Sequence, residues 1–356
     1  MKISINTFYQ ELHVGAVLQA YALSRVLEGM GHAPEILRYM RPSCGVPARR
    51  CRQRVISWVT RERRRVRQYG AFRAKYLRES PAAYESYDRI VAHPPQADVL
   101  ICGSDQIWNP ELLAGNCYDP AYFLQYGSAD IPRISYAASC GGHIASTEEE
   151  QLLKRYLAGF RAISVRESSS KETLERILGR EVTVTLDPTL LLKDYSHLLS
   201  PNSRQESYVL LYAVQHTAEI RKAARDVAMH LQLPIFSAGG PLYPWKVVGR
   251  RVEVHGPVEW INLIYNAAAV VTNSFHGLAF SLTLGKRVIV SPLTGTMAAR
   301  NDRLHQLCRA LGIVETVIAG STTDVVPRDI NWTLVNARLD AGREASLAFL
   351  REALGC

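Results

Sequence analysis

The sequence predicts an α/β protein with two Rossmann-like domains, each built on a parallel sheet between helices. Short apolar runs of strand length alternate with helical segments along the chain, and a polar segment at 193–205 separates two such series. A length of 356 residues also favours two domains. We predict domains at 1–195 and 196–330, with ligand loops facing each other across a cleft. Residues 331–356 are predicted to form a helix that can pack back on the N-terminal domain.

The first domain is predicted to contain six strands in a β–α alternation. These apolar, partly β-branched runs lie at 2–5, 33–37, 97–101, 133–138, 162–165 and 182–185. Helical spacing after the first strand begins near Gly15, where a ligand backbone or phosphate could approach closely. Residues 43–93 are predicted to be a basic helical arm inserted between the second and third strands.

The second domain repeats the alternation. Strands are predicted at 208–213, 234–237, 251–254, 268–272 and 288–290. Helices are predicted at 217–230, 258–266, 278–284 and 302–311, with a final helix at about 332–354.

The central stretch of this domain is 267–292, AAAVVTNSFHGLAFSLTLGKRVIVSP. Ser274, Phe275, His276 and Gly277 lie where a parallel strand passes into a helix N-terminus. Backbone amides and the helix dipole favour an anion there, and His276 adds a titratable group. The alternative is that Ser274 only caps the helix and that His276 is a satisfied buried histidine.

A polar loop follows the strand at 97–101. Asp105 is a candidate general base, Gln106 and Asn109 are candidate hydroxyl-binding groups, and Trp108 is a candidate platform for a sugar ring. The location agrees with ligand binding, because open parallel sheets bind ligands outside the carboxyl ends of their strands. The alternative is a polar turn with a packed tryptophan.

Arg166 follows the strand at 162–165 and could clamp a carboxylate or phosphate through a bidentate contact. The alternatives are a surface pair with Glu167 or an interdomain salt bridge.

The net charge of +9 is concentrated in one segment. Residues 44–80 hold twelve Arg or Lys against two Glu, a local charge of +10 that leaves −1 for the rest of the chain. Such a run is usually a solvated helix face. The Arg-rich part at 49–67 could also contact an anionic membrane. Nucleic acid is disfavoured as a partner, because no stacking-aromatic pattern accompanies the arginines.

Seven scattered cysteines without a CxxC pair argue against a zinc site or a disulfide framework. No apolar run approaches membrane-spanning length, and the N-terminus lacks the apolar core of a signal peptide. We therefore expect no metal and a cytoplasmic protein, with peripheral contact at the inner membrane face through the arm.

Several motifs in chain order resemble the polysaccharide pyruvyl transferase family over residues 2–315. They are GAVLQAYAL (15–23), DVLICGSDQIWN (98–109), ISYAAS (134–139), ISVRESSS (163–170), TLDPTLLL (185–192), TNSFHGLAFSL (272–282) and DRLHQLCRALGI (302–313). The chain departs from the family where His13-Val14-Gly15 replaces a common Asn-Tyr-Gly sequence.

The resemblance implies a GT-B-like enzyme that transfers the pyruvyl group of phosphoenolpyruvate to a sugar of a polysaccharide or lipid-linked glycan precursor. The product would be a pyruvate ketal, phosphate would be released, and no cofactor would be needed beyond this co-substrate. It implies catalytic roles for His276, Asp105 and Arg166. The predicted donor ligands are Arg166, Ser274, Phe275, His276, Gly277 and Arg303. The predicted acceptor side comprises Gly15, Gly103, Ser104, Asp105, Gln106, Trp108 and Asn109.

Two rival hypotheses remain at this point. One is a nucleotide-sugar glycosyltransferase of GT-B type, and the other is a non-catalytic family member that binds an anionic partner through the arm. A family member acting on a peptide or small-molecule acceptor is also open.

Overall fold

The computed structural model describes residues 1–40, 55–200, 206–239, 247–314 and 329–356. The chain divides into two compact units. Unit 1 comprises Met1–Leu192 and Gly342–Cys356, and unit 2 comprises Lys193–Ala341. The sequence placed the division after residue 195 and treated 331–356 as one separate helix.

Unit 1 contains a seven-stranded sheet in which all recorded pairings are parallel. Its strands are β1 (Lys2–Asn6), β2 (Ala33–Tyr39), β3 (Glu79–Tyr84), β4 (Val99–Cys102), β5 (Arg133–Ala138), β6 (Phe160–Val165) and β7 (Thr183–Val184). The helices are α1 (Val14–Gly29), α2 (Val55–Tyr76), α3 (Tyr87–Ala92), α4 (Thr147–Leu157), α5 (Ser168–Leu178) and α6 (Pro188–Leu191). The order β3-β2-β1-β4-β5-β6-β7 reverses direction between β1 and β4. Loops at such a reversal form the usual ligand crevice of an open parallel sheet.

Unit 2 contains a five-stranded sheet whose recorded pairings are also all parallel. Its strands are β8 (Val209–Tyr212), β9 (Ile235–Ala238), β10 (Arg250–Arg251), β11 (Ala269–Thr272) and β12 (Arg287–Val290). The helices are α7 (Ala218–Leu231), α8 (Pro257–Tyr265), α9 (Phe275–Thr283), α10 (Asp302–Leu311) and α11 (Trp332–Leu354), of which α11 continues into unit 1. The order β10-β9-β8-β11-β12 reverses between β8 and β11. The predicted α/β class with parallel sheets is confirmed.

The predicted all-helical arm at 43–93 is wrong in one part. Residues 55–92 form α2, β3 and α3, and β3 pairs with β2 at the edge of the sheet. The composition of the segment ESPAAY does not predict a strand, because Pro81 cannot donate a ladder hydrogen bond. An edge strand tolerates such a proline. The Ser80 hydroxyl takes part in the pairing by accepting a hydrogen bond from the Arg38 amide at 2.9 Å. Residues 43–54 of the predicted arm lie outside the described residues.

Each sheet is buried between its helices. Strands β1, β4 and β5 of unit 1 and β8 and β11 of unit 2 consist almost entirely of buried residues, as expected for parallel strands covered on both faces. Within the described residues, no helix is both long enough and apolar enough to cross a bilayer.

Candidate functional site

The loop after β4 packs against the neighbouring strand in a strained backbone conformation. Asp105 has a φ of 75° and Ala137, near the end of β5, has a φ of 51°. Both lie in the left-handed region, which is costly for residues with a Cβ and persists where surrounding contacts enforce it. Here a backbone hydrogen bond joins the loop to the segment after β5: the Ser139 amide donates to the Asp105 carbonyl at 3.0 Å. The strain lies next to the point at which the sheet of unit 1 reverses.

A buried ionic cluster joins the loops at this edge of unit 1. Arg166 donates from Nε to Glu167 Oε1 at 3.0 Å and from Nη1 to Asp187 Oδ2 at 2.8 Å. The three side chains are 2%, 6% and 0% exposed. Burial opposes the charge of the guanidinium, but Glu167, Asp187 and Asp105 outweigh this effect and raise the pKa of Arg166. Three carboxylates therefore surround one buried cation, and an additional anion gains little attraction from it.

Asp187 and Glu167 connect four loops of unit 1. Asp187 Oδ2 also accepts a hydrogen bond from Ser104 Oγ at 2.8 Å, and its Oδ1 caps α6 by accepting the Thr189 amide at 2.9 Å. Glu167 Oε1 accepts a hydrogen bond from Ser139 Oγ at 2.8 Å. The ends of β4, β5, β6 and β7 are thus held together by side chains.

Sequence reasoning missed this arrangement. Asp187 appeared only within the TLDPTLLL motif and was given no role, although Asp-Pro-Thr is a recognisable helix start. The pairing of Arg166 is neither a surface pair nor a salt bridge between domains, because Arg166, Glu167 and Asp187 all belong to unit 1. A direct contact of Arg166 with a donor stays a prediction.

Trp108 does not offer a sugar platform, and that prediction is wrong. Its side chain has no exposed surface, its ring stacks on Phe123 at 5.4 Å, and its Nε1 donates to the Tyr122 carbonyl at 3.1 Å. A ring enclosed by the core has no face left for a ligand, so the packed-tryptophan alternative is correct.

The other predicted acceptor residues are also buried and in contact with neighbouring parts of unit 1. Asn109 donates from Nδ2 to Gln106 Oε1 at 3.1 Å and is 1% exposed. Gly103 lies so close to Thr7 that an added Cβ would come within 2.9 Å of the Thr7 Cβ. Gly15 is buried in the first turn of α1, for which His13 is the N-cap. Asp105 is 9% exposed, and its Oδ1 accepts the Gln106 amide at 2.9 Å.

In unit 2, the corresponding reversal lies between β8 and β11, and polar side chains connect its loops. Asn273 Oδ1 accepts a hydrogen bond from the Val214 amide at 2.8 Å, and its Nδ2 donates to the Gln215 carbonyl at 2.6 Å. Gln215 Oε1 in turn accepts the Thr294 amide at 2.9 Å. The loops after β8, β11 and β12 are held by neutral amides, whereas the loops of unit 1 are held by charges.

The start of α9 lies at this edge. Ser274 is its N-cap, and Ser274 Oγ accepts the Gly277 amide at 3.3 Å. Thr272 Oγ1 accepts the Ser274 amide at 3.1 Å, which fixes the turn between strand and helix. The first-turn amides and the helix dipole favour an anion at this end.

His276 occupies the second position of α9 and is 4% exposed. The ring of its neighbour Phe275 lies edge-on to it at 5.4 Å, and the guanidinium of Arg303 lies 5.8 Å from the Phe275 ring centre. An imidazole and a guanidinium therefore flank one aromatic ring at a helix N-terminus. These groups can bind a phosphate and pass a proton to it.

Gly277 is required by close packing of α9 on the sheet. A Cβ at this position would lie 2.4 Å from Thr272 Oγ1 and 3.1 Å from Tyr212 Cδ1. Any side chain would push the helix start away from β11, so the position of His276 depends on this glycine.

The predicted site residues fall in both units. Asp105, Arg166 and the other predicted acceptor residues belong to unit 1, and Ser274, Phe275, His276, Gly277 and Arg303 belong to unit 2. In the described residues, no cluster of three or more His, Cys, Asp or Glu side chains is arranged to hold a metal ion.

The fold is similar to those of solved sugar-nucleotide enzymes. UDP-GlcNAc 2-epimerase from Rickettsia bellii matches 99% of this chain and 96% of its own with a TM-score of 0.54 at 10% identity. UDP-GlcNAc 2-epimerase from Neisseria meningitidis, bound to UDP-GlcNAc, matches 99% of this chain and 94% of its own with a TM-score of 0.51 at 13% identity. An alpha-glucosyltransferase in complex with UDP matches 99% and 96% with a TM-score of 0.50 at 9% identity. At such identities the likeness establishes the fold alone, which is of GT-B type.

No curated protein matches the chain. The family model described as polysaccharide pyruvyl transferase matches residues 13–292, which include β4 with its polar loop, the Arg166 cluster and the start of α9. The match covers most of the sequence and both units, and the chain therefore belongs to the polysaccharide pyruvyl transferase family.

Proposed function

We propose that the protein transfers the pyruvyl group of phosphoenolpyruvate to two hydroxyls of a sugar in a polysaccharide or lipid-linked glycan precursor. The product is a cyclic pyruvate ketal, and phosphate is released. The observation that carries the proposal is the start of α9, where an imidazole lies among helix N-terminal amides at the sheet reversal of unit 2. Membership of the family supplies the reaction class.

The reaction balances with two hydroxyl protons. The methylene carbon of phosphoenolpyruvate accepts one proton, a sugar oxygen bonds to the central carbon, and the bond from that carbon to the phosphate oxygen breaks. The second sugar oxygen then closes the ketal, and the second proton ends on the released phosphate.

We assign donor recognition to unit 2. Phosphoenolpyruvate is strongly anionic, and it suits the α9 amides, with His276 as phosphate ligand or general acid and Arg303 as a flanking cation. Ser274 and Gly277 set the position of this helix end.

We assign acceptor recognition to unit 1. Asp105 is the candidate base that accepts a hydroxyl proton. Arg166 is a positioning residue for Asp105, because the ionic cluster holds the loops around Asp105 in place.

The test measures phosphate release from phosphoenolpyruvate with a panel of mono- and oligosaccharides and lipid-linked sugars. We expect release that requires both the donor and one class of acceptor. Failure of every acceptor, while phosphoenolpyruvate leaves the thermal unfolding temperature unchanged, would overturn the proposal. Stabilisation by UDP-sugars instead of phosphoenolpyruvate would favour a nucleotide-sugar glycosyltransferase. Binding of phosphoenolpyruvate without turnover would favour a non-catalytic role.

Membrane contact by the Arg-rich arm stays a prediction. Arg63, Arg64 and Arg67 are exposed on α2 and could meet anionic lipid, whereas residues 49–54 lie outside the described residues. Replacing all three by alanine should weaken binding to phosphatidylglycerol vesicles by about 3 kcal/mol, because each cation near the surface contributes about 1 kcal/mol. Flotation with phosphatidylcholine vesicles is the control, and equal binding to both lipids would contradict the prediction.

A further inference from the structure

Unit 1 contains a cavity of about 240 Å³ at the carboxyl ends of β1 and β2. It is lined by residues 7–11, which follow β1, and by Tyr39, Met40 and Tyr122. The cavity lies beside the reversal of strand order between β1 and β4, where an open parallel sheet usually binds its ligand. The sequence-predicted site residues do not line it.

Aromatic rings form much of its wall. The rings of Phe8 and Tyr122 meet edge-on at 5.0 Å, and those of Tyr39 and Tyr122 meet edge-on at 5.7 Å. Small-molecule sites are typically apolar and aromatic concavities with a few placed polar groups. The volume lies below the usual lower bound of about 300 Å³ for such sites, which suits a single sugar ring.

The polar groups of the lining are suited to hydroxyls. Tyr9 accepts a hydrogen bond from Gln10 Nε2 at 3.2 Å, and burial raises its pKa, so it stays a neutral phenol. Tyr39 donates to Asp119 Oδ2 at 2.6 Å, and burial together with that carboxylate raises its pKa. Two neutral hydroxyls and an amide provide both donors and acceptors.

The charge of the lining disfavours phosphoenolpyruvate. Of the lining residues in the described chain, Glu11 carries a carboxylate and none is a lysine or arginine. The lining therefore offers a multiply charged anion no cation of its own, whereas a neutral polyhydroxylated ring needs none. The cavity thus has the opposite preference to the start of α9.

Two arginines of the basic arm hold the loop that lines this cavity. Arg73 Nη1 donates to the Gln10 carbonyl at 3.0 Å, and Arg65 Nη2 donates to the Leu12 carbonyl at 2.6 Å. Helix α2 is itself held against α1 by Phe72, whose ring meets that of Tyr21 at 5.6 Å. The arm therefore fixes the shape of the loop after β1.

We propose that this cavity is a sugar subsite of unit 1 that takes one neutral ring of the acceptor glycan, with Arg65 and Arg73 as positioning residues. That the bound sugar is the acceptor rests on the proposed function, whereas sugar binding in the cavity does not.

Saturation-transfer NMR with a panel of methyl glycosides tests the binding. Met40 is 50% exposed at the cavity wall, so Met40→Trp should fill the cavity without disturbing the core. We expect at least about tenfold weaker glycoside binding by Met40→Trp and near wild-type binding by Met40→Ala. Val91→Trp, at a 49% exposed position of α3 in the same unit, is the matched control and should bind normally.

The role of the arginines is tested by kinetics. Arg73→Met should raise the KM for the acceptor by about tenfold while leaving the KM for phosphoenolpyruvate unchanged, and Arg73→Lys should restore part of the loss because it keeps a donor. Lys75→Met, which removes an exposed cation of the same helix, is the control.

The possible outcomes separate this inference from the proposed function. The subsite is wrong if no glycoside binds the wild-type protein, or if Met40→Trp binds as the wild type does. If glycosides bind the wild type and not Met40→Trp, but phosphoenolpyruvate is not turned over, the subsite is supported and the proposed function is refuted. If Met40→Trp leaves turnover unchanged, the function is supported, and the proposal that the cavity takes a ring of the acceptor is refuted.

Discussion

The two sheets of this protein present chemically different carboxyl edges. In unit 1 the loops are joined by a buried cluster of three carboxylates and one guanidinium, Asp105, Glu167, Asp187 and Arg166. In unit 2 they are joined by the neutral amides of Asn273 and Gln215 around the start of α9.

The same architecture thus provides two different electrostatic environments. The edge of unit 1 is already rich in buried negative charge and suits hydroxyl groups or their protons. The edge of unit 2 combines a helix N-terminus with an imidazole and suits an anion. The difference lies in side chains placed on equivalent strand ends.

The largest expected effect tests the edge of unit 2, which suits an anion. His276→Ala should lower kcat by about 10²- to 10⁴-fold, because it removes a proton donor or phosphate ligand at the start of α9. Initial rates of phosphate release measure this effect. His230→Ala, on the exposed side of α7, is the matched control.

A stability measurement separates this role from packing. If His276→Ala turned over like the wild type but unfolded at a lower temperature, His276 would be a buried packing residue and unit 2 would lose its assigned chemistry. His276→Asn retains a polar side chain of similar size and provides a second variant.

The next effect tests the charged edge. Arg166→Met should destabilise the protein by about 3–5 kcal/mol, because Glu167 and Asp187 would be left buried without their cation. Thermal or denaturant unfolding followed by circular dichroism measures the loss. Arg176→Met removes the cation of a surface pair with Glu150 and should change stability little.

Kinetics decide whether Arg166 also contacts the donor. A stable Arg166→Met variant with a raised KM for phosphoenolpyruvate would make Arg166 a donor ligand, as the sequence suggested. A destabilised variant with an unchanged KM for phosphoenolpyruvate would keep it as a positioning residue.

The smallest effect tests how closely α9 must approach its sheet. Gly277→Ala should cost about 1–3 kcal/mol of stability, because the new Cβ would meet Thr272 Oγ1 and Tyr212. Gly70→Ala, in α2 with no atom within 4 Å of the new Cβ, should be neutral or slightly stabilising. Equal stability of the two variants in thermal unfolding would show that α9 can shift without cost.

Most of the fold could be predicted from the sequence. The predicted strand at 133–138 and helix at 302–311 agree with β5 and α10 to the residue, and the order of most other elements is correct. Parallel buried strands give continuous apolar runs, and capped amphipathic helices give periodic ones, so both are visible locally. β3 was missed because its stability comes from pairing at a sheet edge and from the hydroxyl of Ser80, not from its own composition.

The candidate site was predictable only in part. The turn from β11 into α9 is a local feature, so Ser274 and His276 could be placed at a helix N-terminus from sequence alone. Trp108 was misread because its burial depends on Phe123 and Tyr122, which are contributed by a different loop.

The sequence by itself determined which segments become strands and helices, which chain positions follow strand ends, and where the positive charge is concentrated. The tertiary structure decided which strand ends are neighbours, and hence that Arg166 meets Asp187 across twenty-one positions of sequence. It also decided that Arg65 and Arg73 support the loop after β1 and that an aromatic cavity forms there. Such contacts depend on strand order and helix packing, which a linear pattern of residue types does not encode.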